Sequence, residues 1–227
     1  MKKVLSIFFL LIILIVAIFI IYHGPVYTYR VLVWQDSDYD DYLLFNTKPV
    51  VKGKQTFNFE SASPSQEDQF RKDFSIANSI SNIDSLMIAN NTYAFIVIRN
   101  DTLIYENYFF NNNRESMQTS FSTAKSILSL LIGIAIQENK IKSINDPITD
   151  YIPELKDRDS KFMEITIEDL LHMRSGIAFK KGVSFPFVTS DEPLTYSHPD
   201  LRYVAINKTR IDINPDIKFL YNDYNAL

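Results

Sequence analysis

The sequence contains no cysteine. That excludes disulfides, thiolate nucleophiles and cysteine-ligated zinc. Glycine is scarce, 5 in 227 residues, and neither G-x-G-x-x-G nor G-x-x-x-x-G-K-[S/T] occurs. A glycine-rich phosphate cradle is therefore unsupported. The 3 histidines, His23, His172 and His198, share no metal-ligand spacing. Basic residues are in deficit, 23 Lys and Arg against 27 Asp and Glu, for a net charge of -4. Nucleic-acid binding needs the opposite balance, so no nucleic-acid partner is expected. No serine sits in a G-x-S-x-G stretch, so the nucleophile-elbow signature is missing. Repeats and low-complexity tracts are absent too. The length allows one or two domains.

What is present starts at the N-terminus. Met1-Lys2-Lys3 is followed by an uncharged run from Val4 to Tyr22 whose one polar side chain is Ser6. As a helix this run reaches about 28 Å, enough for the hydrocarbon core of a bilayer. Its exit, "FIIYHGPVY", holds no small-x-small cleavage site, so an uncleaved signal anchor is expected rather than a signal peptide. Lys2 and Lys3 favour an N-in orientation, with the bulk of the chain outside the cytoplasm. Tyr22, Tyr27 and Tyr29 suit an interfacial aromatic belt. The expected division is a cytoplasmic tip at 1–3, a transmembrane anchor at 4–22, a juxtamembrane segment and linker at 23–74, and a catalytic-type domain from 75 to 227.

Along the juxtamembrane segment, "YRVLVW" predicts a short strand. "QDSDYDDY" predicts a solvated acidic loop, because the Gly and terminal Glu of a calcium-binding loop are missing. Ser65 and Asp68 loosely resemble a capping box before helical spacing at Phe70, Phe74, Ala77, Ile80 and Ile83. "YAFIVIRNDTLIYENYFF" predicts a β-hairpin turning at Asn100-Asp101. Ser126 to Gln137 is apolar on nearly every face, which predicts a helix buried in a core. The run is too short to span a bilayer. "ITIEDLLHMRSGI" predicts a short helix ended by Gly176. Turns and a helix near "HPDLRYVAINK" are expected between 178 and 218.

The chemistry centres on "SFSTAKSILSLLIGIAIQENK". Ser122 and Lys125 stand three apart at the start of this helix, on one face. Two readings follow from the residues. Ser122 could be an N-cap, with the Lys125 stem lying along apolar surface. Alternatively Ser122 is a nucleophile at a helix N-terminus, whose free N–H groups favour a developing oxyanion. Lys125 would then lose stability as an ammonium through burial and accept the serine proton. S-x-x-K is such a nucleophile–lysine pattern. The setting, a buried helix on the outer side of a membrane, favours the second reading.

Three ordered stretches carry a resemblance. "FSTAKSILSLLIGIAIQENKIKSINDPITDYIPEL" resembles the serine hydrolases of the β-lactamase-related superfamily, in the branch of class C β-lactamases, penicillin-binding-protein-like esterases and amide-dimer hydrolases. "ITIEDLLHMRSGI" is similar to that family's Leu-Leu-x-x-x-Ser-Gly stretch, here Leu170, Leu171, Ser175 and Gly176. "PDIKFLYNDYNAL" resembles its second box, Tyr-x-Asn. The resemblance implies an α/β (α+β) fold, an antiparallel sheet flanked by helices. It also implies that Ser122 is acylated, that Lys125 is its partner and that Tyr221 moves protons on and off the serine. No cofactor is implied. The substrate would be a small-molecule or peptidoglycan-like ester, amide or β-lactam.

The pattern is broken at Asp223, where the family carries Asn. A carboxylate there would meet substrate differently, or pair with Lys125 and hold it charged. Met173 stands where many relatives carry histidine. His172, one residue earlier, is read as structural, and Ser175 as a turn residue whose hydroxyl faces the cleft. In the family the fold continues past the second box to a Lys/His-x-Gly strand. A chain truncated at its C-terminus is therefore expected, whose hairpin lacks further sheet partners. The alternative to an enzyme is an inactive binding or sensor homologue.

Overall fold

The computed structural model describes residues 2–182, 190–211 and 218–227. The expected turns at 183–189 and 212–217, and the start of the second box at 215–217, lie outside the described residues. The chain is mixed α/β and forms two compact units, one of residues 1–38 with 120–227, the other of 39–119.

Helix α1, Lys2–His23, covers the expected apolar span, and none of its residues is buried. It stops at Gly24, whose φ of 84 lies in the left-handed region. Pro25 then occupies the first turn of α2, Pro25–Val33, where a fixed φ suits a helix start. The strand expected at "YRVLVW" is therefore helix. A stripe of Tyr27, Thr28 and Val31 is buried, and this helical spacing of burial overrides the β preference of the valines. The aromatic belt needs the same correction. Tyr22 and Tyr29 are exposed, but Tyr27 is fully buried, its ring 6.0 Å from that of His198. Arg30 Nη1 adds a bond to the Ser197 carbonyl at 3.2 Å.

The unit of 39–119 opens with the acidic stretch. It is not wholly solvated, because Asp41 is only 5% exposed. Thr119 pins this loop, its N–H donating to the Tyr39 carbonyl and its Oγ1 accepting from Tyr42 N–H. Strand β1 is the two-residue Glu60–Ser61. Helix α3, Pro64–Ala77, starts one residue before the suspected cap. Ser63, not Ser65, is the N-cap, and its N–H donates to Gln66 Oε1 at 2.9 Å. Gln66 sits at the third helical position after Ser63, where its side chain reaches back to the cap's N–H. Ser79, at φ 54, breaks the helical run, and α4, Ile83–Ala89, restarts behind an Asn82 cap.

Strands β2, Ala94–Arg99, and β3, Thr102–Tyr108, form the expected antiparallel hairpin. Asn100 and Asp101 both have positive φ, 52 and 56, as a two-residue hairpin turn requires. The sheet order is β1-β3-β2, with β1 parallel to β3. Phe70 and Phe74 of α3 and Phe95 pack on the buried Ile83, Met87, Tyr105 and Phe109.

In the larger unit, α5, Thr123–Gln137, is helical as expected but has no buried residue. Ile132 packs on the core, whereas Leu130, Leu131 and Ile127 are more than half exposed. A helix that is apolar all round needs neighbours all round, and the described residues supply them on one side. That core consists of Ile148, Leu155, Phe162, Ile165, Ile167, Ile177, Val204, Ile211 and Tyr224. It is built from α6, Glu154–Arg158, α7, Ile167–Leu171, α9, Leu201–Asn207, and short 3-10 turns. α8, Glu192–Ser197, packs beside α9 and adds the half-buried Leu194.

The end of α7 differs from expectation. Met173, at φ 55, takes the left-handed position just past the helix, three residues before Gly176. Met173 N–H bonds the Leu170 carbonyl, and Arg174 N–H bonds that of Asp169 at 2.8 Å. These two bonds are those of a Schellman motif, whose hydrogen bonds can hold a non-glycine residue at φ > 0.

Candidate active site

Ser122 occupies the N-cap position of α5 but does not cap it. Its backbone is already helical, φ -68 and ψ -9, and its side chain makes no capping bond. Tight bonds shape the approach, with Ala124 N–H to the Phe121 carbonyl at 3.1 Å and Lys125 N–H to that of Ser122 at 3.0 Å. The residue before it, Phe121, has φ 44. A bulky side chain in this region is a genuine outlier, with a cost of about 1–3 kcal/mol. This strained entry leaves the Ser122 hydroxyl exposed at the positive end of a 15-residue helix.

Two side chains meet that hydroxyl. Lys125 Nζ lies 3.3 Å from Ser122 Oγ, one turn along the same face. The Tyr221 hydroxyl, 99 positions away in sequence, donates to Ser122 Oγ at 2.6 Å. Lys125 also lies over the Tyr221 ring, 5.2 Å from its centroid. The fourth sequence candidate, Asp223, accepts from Lys125 Nζ at 2.6 Å. All four candidate residues therefore converge.

The charge of Lys125 follows the second of the two roles expected for Asp223, not the neutral amine expected of a base. Burial alone pulls the ammonium's pKa down, as expected from the sequence. The hydrogen bond and charge of Asp223, aided by Tyr221, outweigh it, and the pKa lies above the ordinary lysine value. Lys125 is thus held as an ammonium in the resting site. The side chains of the pair are 21% and 35% exposed, too sheltered for full solvent screening.

A clamp that sequence reasoning missed holds the Tyr221 segment. Leu220 N–H bonds the Met173 carbonyl at 2.8 Å. Asn222, almost fully buried, donates from Nδ2 to the Ile177 carbonyl at 2.7 Å and caps the 3-10 turn Asp223–Ala226 by accepting from Tyr224 N–H. Ser175 Oγ donates to Asn225 Oδ1 at 2.5 Å. Ser175 is therefore buried and faces inward, not into a cleft. The Leu-Leu-x-x-x-Ser-Gly turn thus fixes the backbone that presents Tyr221 and Asp223. One signal was legible, since Asn before Asp-Tyr is a favoured N-cap. His172 is exposed, 3.8 Å from Glu168, and takes no part.

A hydroxyl at a helix N-terminus, a second hydroxyl within proton-transfer distance and a fixed cation beside both can support attack on a carbonyl. Among the described residues no group of three His, Asp or Glu side chains could hold a metal ion.

Comparison with known proteins follows this geometry. A family model described as beta-lactamase matches residues 81–227. No curated protein matches the chain. A solved structure from Bacillus anthracis, provisionally named a 6-aminohexanoate-dimer hydrolase, is similar in fold, with a TM-score of 0.52 and 22% identity over 64% of this chain. The chain spans 40% of that protein's length.

Proposed function

The chain belongs to the beta-lactamase family, and on that premise we propose that it is a serine hydrolase that opens an ester, amide or β-lactam carbonyl through an acyl-enzyme on Ser122. The observation that carries this reading is the Tyr221 hydroxyl 2.6 Å from Ser122 Oγ, with the Lys125 ammonium 3.3 Å from the same oxygen. As Oγ bonds to the carbonyl carbon, the Tyr221 oxygen takes the Ser122 proton while its own proton passes to the leaving-group atom. The carbonyl electron pair moves onto its oxygen, at the positive end of α5. Lys125, held by Asp223, fixes Ser122 Oγ and the Tyr221 ring in place for this transfer. Collapse of the adduct expels the leaving group, which carries the proton passed on by Tyr221. Water then attacks the acyl carbon, again through Tyr221, and Ser122 leaves with a proton.

Tethering by α1, with the remainder extracytoplasmic at a membrane or cell surface, is part of the proposal. It is supported by the length and lack of charge of the helix after Lys3. The provisional name of the structural neighbour points to amide cleavage by that protein, so an amide stands among the proposed carbonyls.

A second reading, a binding or sensor homologue without turnover, is favoured by the Lys125–Asp223 ion pair, which occupies the amine that would otherwise be a base. Labelling by a fluorophosphonate separates the two. An adduct on Ser122, lost in Ser122→Ala, is the expected result. A folded protein that never labels would overturn the enzyme reading in favour of the second.

A further inference from the structure

From Tyr42 to Phe59 the sequence carries Lys48, Lys52 and Lys54 and no acidic residue, in a chain whose net charge is -4. Val50, Val51, Phe57 and Phe59 are interleaved with these lysines. The structure leaves the stretch bare. Residues 44–59 form neither helix nor strand, and every residue from 46 to 60 is exposed. Val50 is 95% and Val51 90% exposed, values that leave almost the whole side chain in water. Phe57 and Phe59, two apart, meet edge to face with ring centroids 5.0 Å apart.

One exposed apolar side chain is ordinary, but a cluster of them marks an interaction surface. The mixture of aromatic, aliphatic and basic residues is that of segments lying at a lipid interface. Lysine stems can follow apolar surface while their ammonium groups stay with the headgroups. A backbone without helix or sheet bonds cannot enter hydrocarbon, so only the side chains can dip below the headgroups. The acids on either side are set apart from the lysines. Asp36, Asp38, Asp40 and Asp41 precede the stretch, with Asp41 buried, and Glu60 follows it in β1, paired with Thr102. None of them lies within five positions of a lysine.

We propose that residues 48–59 dock on an anionic lipid surface, the lysines among the headgroup phosphates and Val50, Val51, Phe57 and Phe59 at the acyl boundary. The surface is that of the membrane α1 enters, so the proposal rests on the tethering reading and not on hydrolysis. A tether in the same chain keeps the stretch at high local concentration near the lipid. Charge then selects the lipid. Three lysines at an anionic surface multiply the affinity by about a hundred, and salt screening removes that factor.

The test uses the full chain reconstituted into vesicles of phosphatidylcholine, alone or mixed with phosphatidylglycerol. Asn58→Cys supplies a single thiol, because the sequence has no cysteine, and keeps both phenylalanines. A nitrobenzoxadiazole dye on that thiol is expected to shift to the blue only in the phosphatidylglycerol vesicles, and to be quenched there by a doxyl-labelled lipid. Both effects should be lost at about 1 M salt, where the screening length is about 3 Å, and in Lys48→Gln/Lys52→Gln/Lys54→Gln. The same dye at Glu115→Cys, an exposed site outside the stretch, should report water throughout. No shift with phosphatidylglycerol, an equal shift in both lipids, or a shift that survives loss of the lysines would each overturn the proposal. A shift that the lipid quencher leaves untouched would assign the stretch to a protein contact and overturn it as well. A carbonate wash separates docking from tethering. A chain that resists the wash but shows no shift sinks the docking alone. A chain that washes out after showing the lysine-dependent shift sinks the tether and keeps the lipid site.

Discussion

Tyr221→Phe removes one oxygen atom, and the structure dictates what that oxygen does. It lies 2.6 Å from Ser122 Oγ. General acid–base transfer by such a group contributes about 10²–10⁴ in rate, or about 2.7–5.5 kcal/mol of barrier. The cost in stability should be far smaller. The Tyr221 ring is 47% exposed and its partner Ser122 is exposed as well, so water can replace the lost contact. Changes at such surface positions stay within about 0.5 kcal/mol. The assay is the second-order rate of fluorophosphonate labelling at Ser122, with a urea melt of the same sample. The expected result is a labelling rate at least a hundredfold lower and an unchanged midpoint. A rate within about threefold of the parent would refute Tyr221 as the proton carrier. Loss of rate together with loss of fold would show the tyrosine to be structural instead.

Asp223→Asn removes the carboxylate that raises the Lys125 pKa. A cation so stabilised strengthens the fold below the ordinary lysine pKa, and that contribution is lost as pH rises through the raised value. The alkaline limb of both labelling and stability should therefore move to lower pH in the variant, and a limb that stays put in a pH series refutes the ion-pair argument. Ser175→Ala leaves buried Asn225 Oδ1 without its donor, which should cost about 1–3 kcal/mol in urea unfolding. It should also slow labelling, because the clamp beneath Tyr221 loosens, and unchanged values of both would remove the clamp from the account. Asp101→Gly relieves a left-handed residue at φ 56 in the hairpin turn, so a gain of about 0.5–1 kcal/mol is expected in the same measurement, and a loss would mean that the aspartate side chain stabilises the turn.

Local rules made several features legible. The apolar run after Lys3 could only be a long helix, and α1 spans it. Asn100-Asp101 tolerates positive φ, which placed the hairpin turn at the two residues where it is found. Where local preference competed with packing, packing won. The valines of "YRVLVW" favour a strand, but burying Tyr27, Thr28 and Val31 on one stripe produced α2. The Ser65–Asp68 cap was misplaced because Gln66, two residues closer to Ser63, makes the better reciprocal bond. The apolar sequence of α5 established what the helix tolerates, not what covers it.

The sequence by itself determined the chemistry available to this protein. It offers no thiol, no glycine-rich phosphate cradle, and a serine and a lysine one helical turn apart, because spacing within one helix is fixed by its 3.6-residue period. Tertiary structure alone decided what those groups do. Tyr221 and Asp223 come from 99 and 98 positions away to lie 2.6 Å from Ser122 Oγ and 2.6 Å from Lys125 Nζ. The sign of the Lys125 shift depends on that approach. Burial along a helix face lowers an ammonium's pKa, and a carboxylate at contact distance raises it. No pattern along the chain records which of the two is nearer.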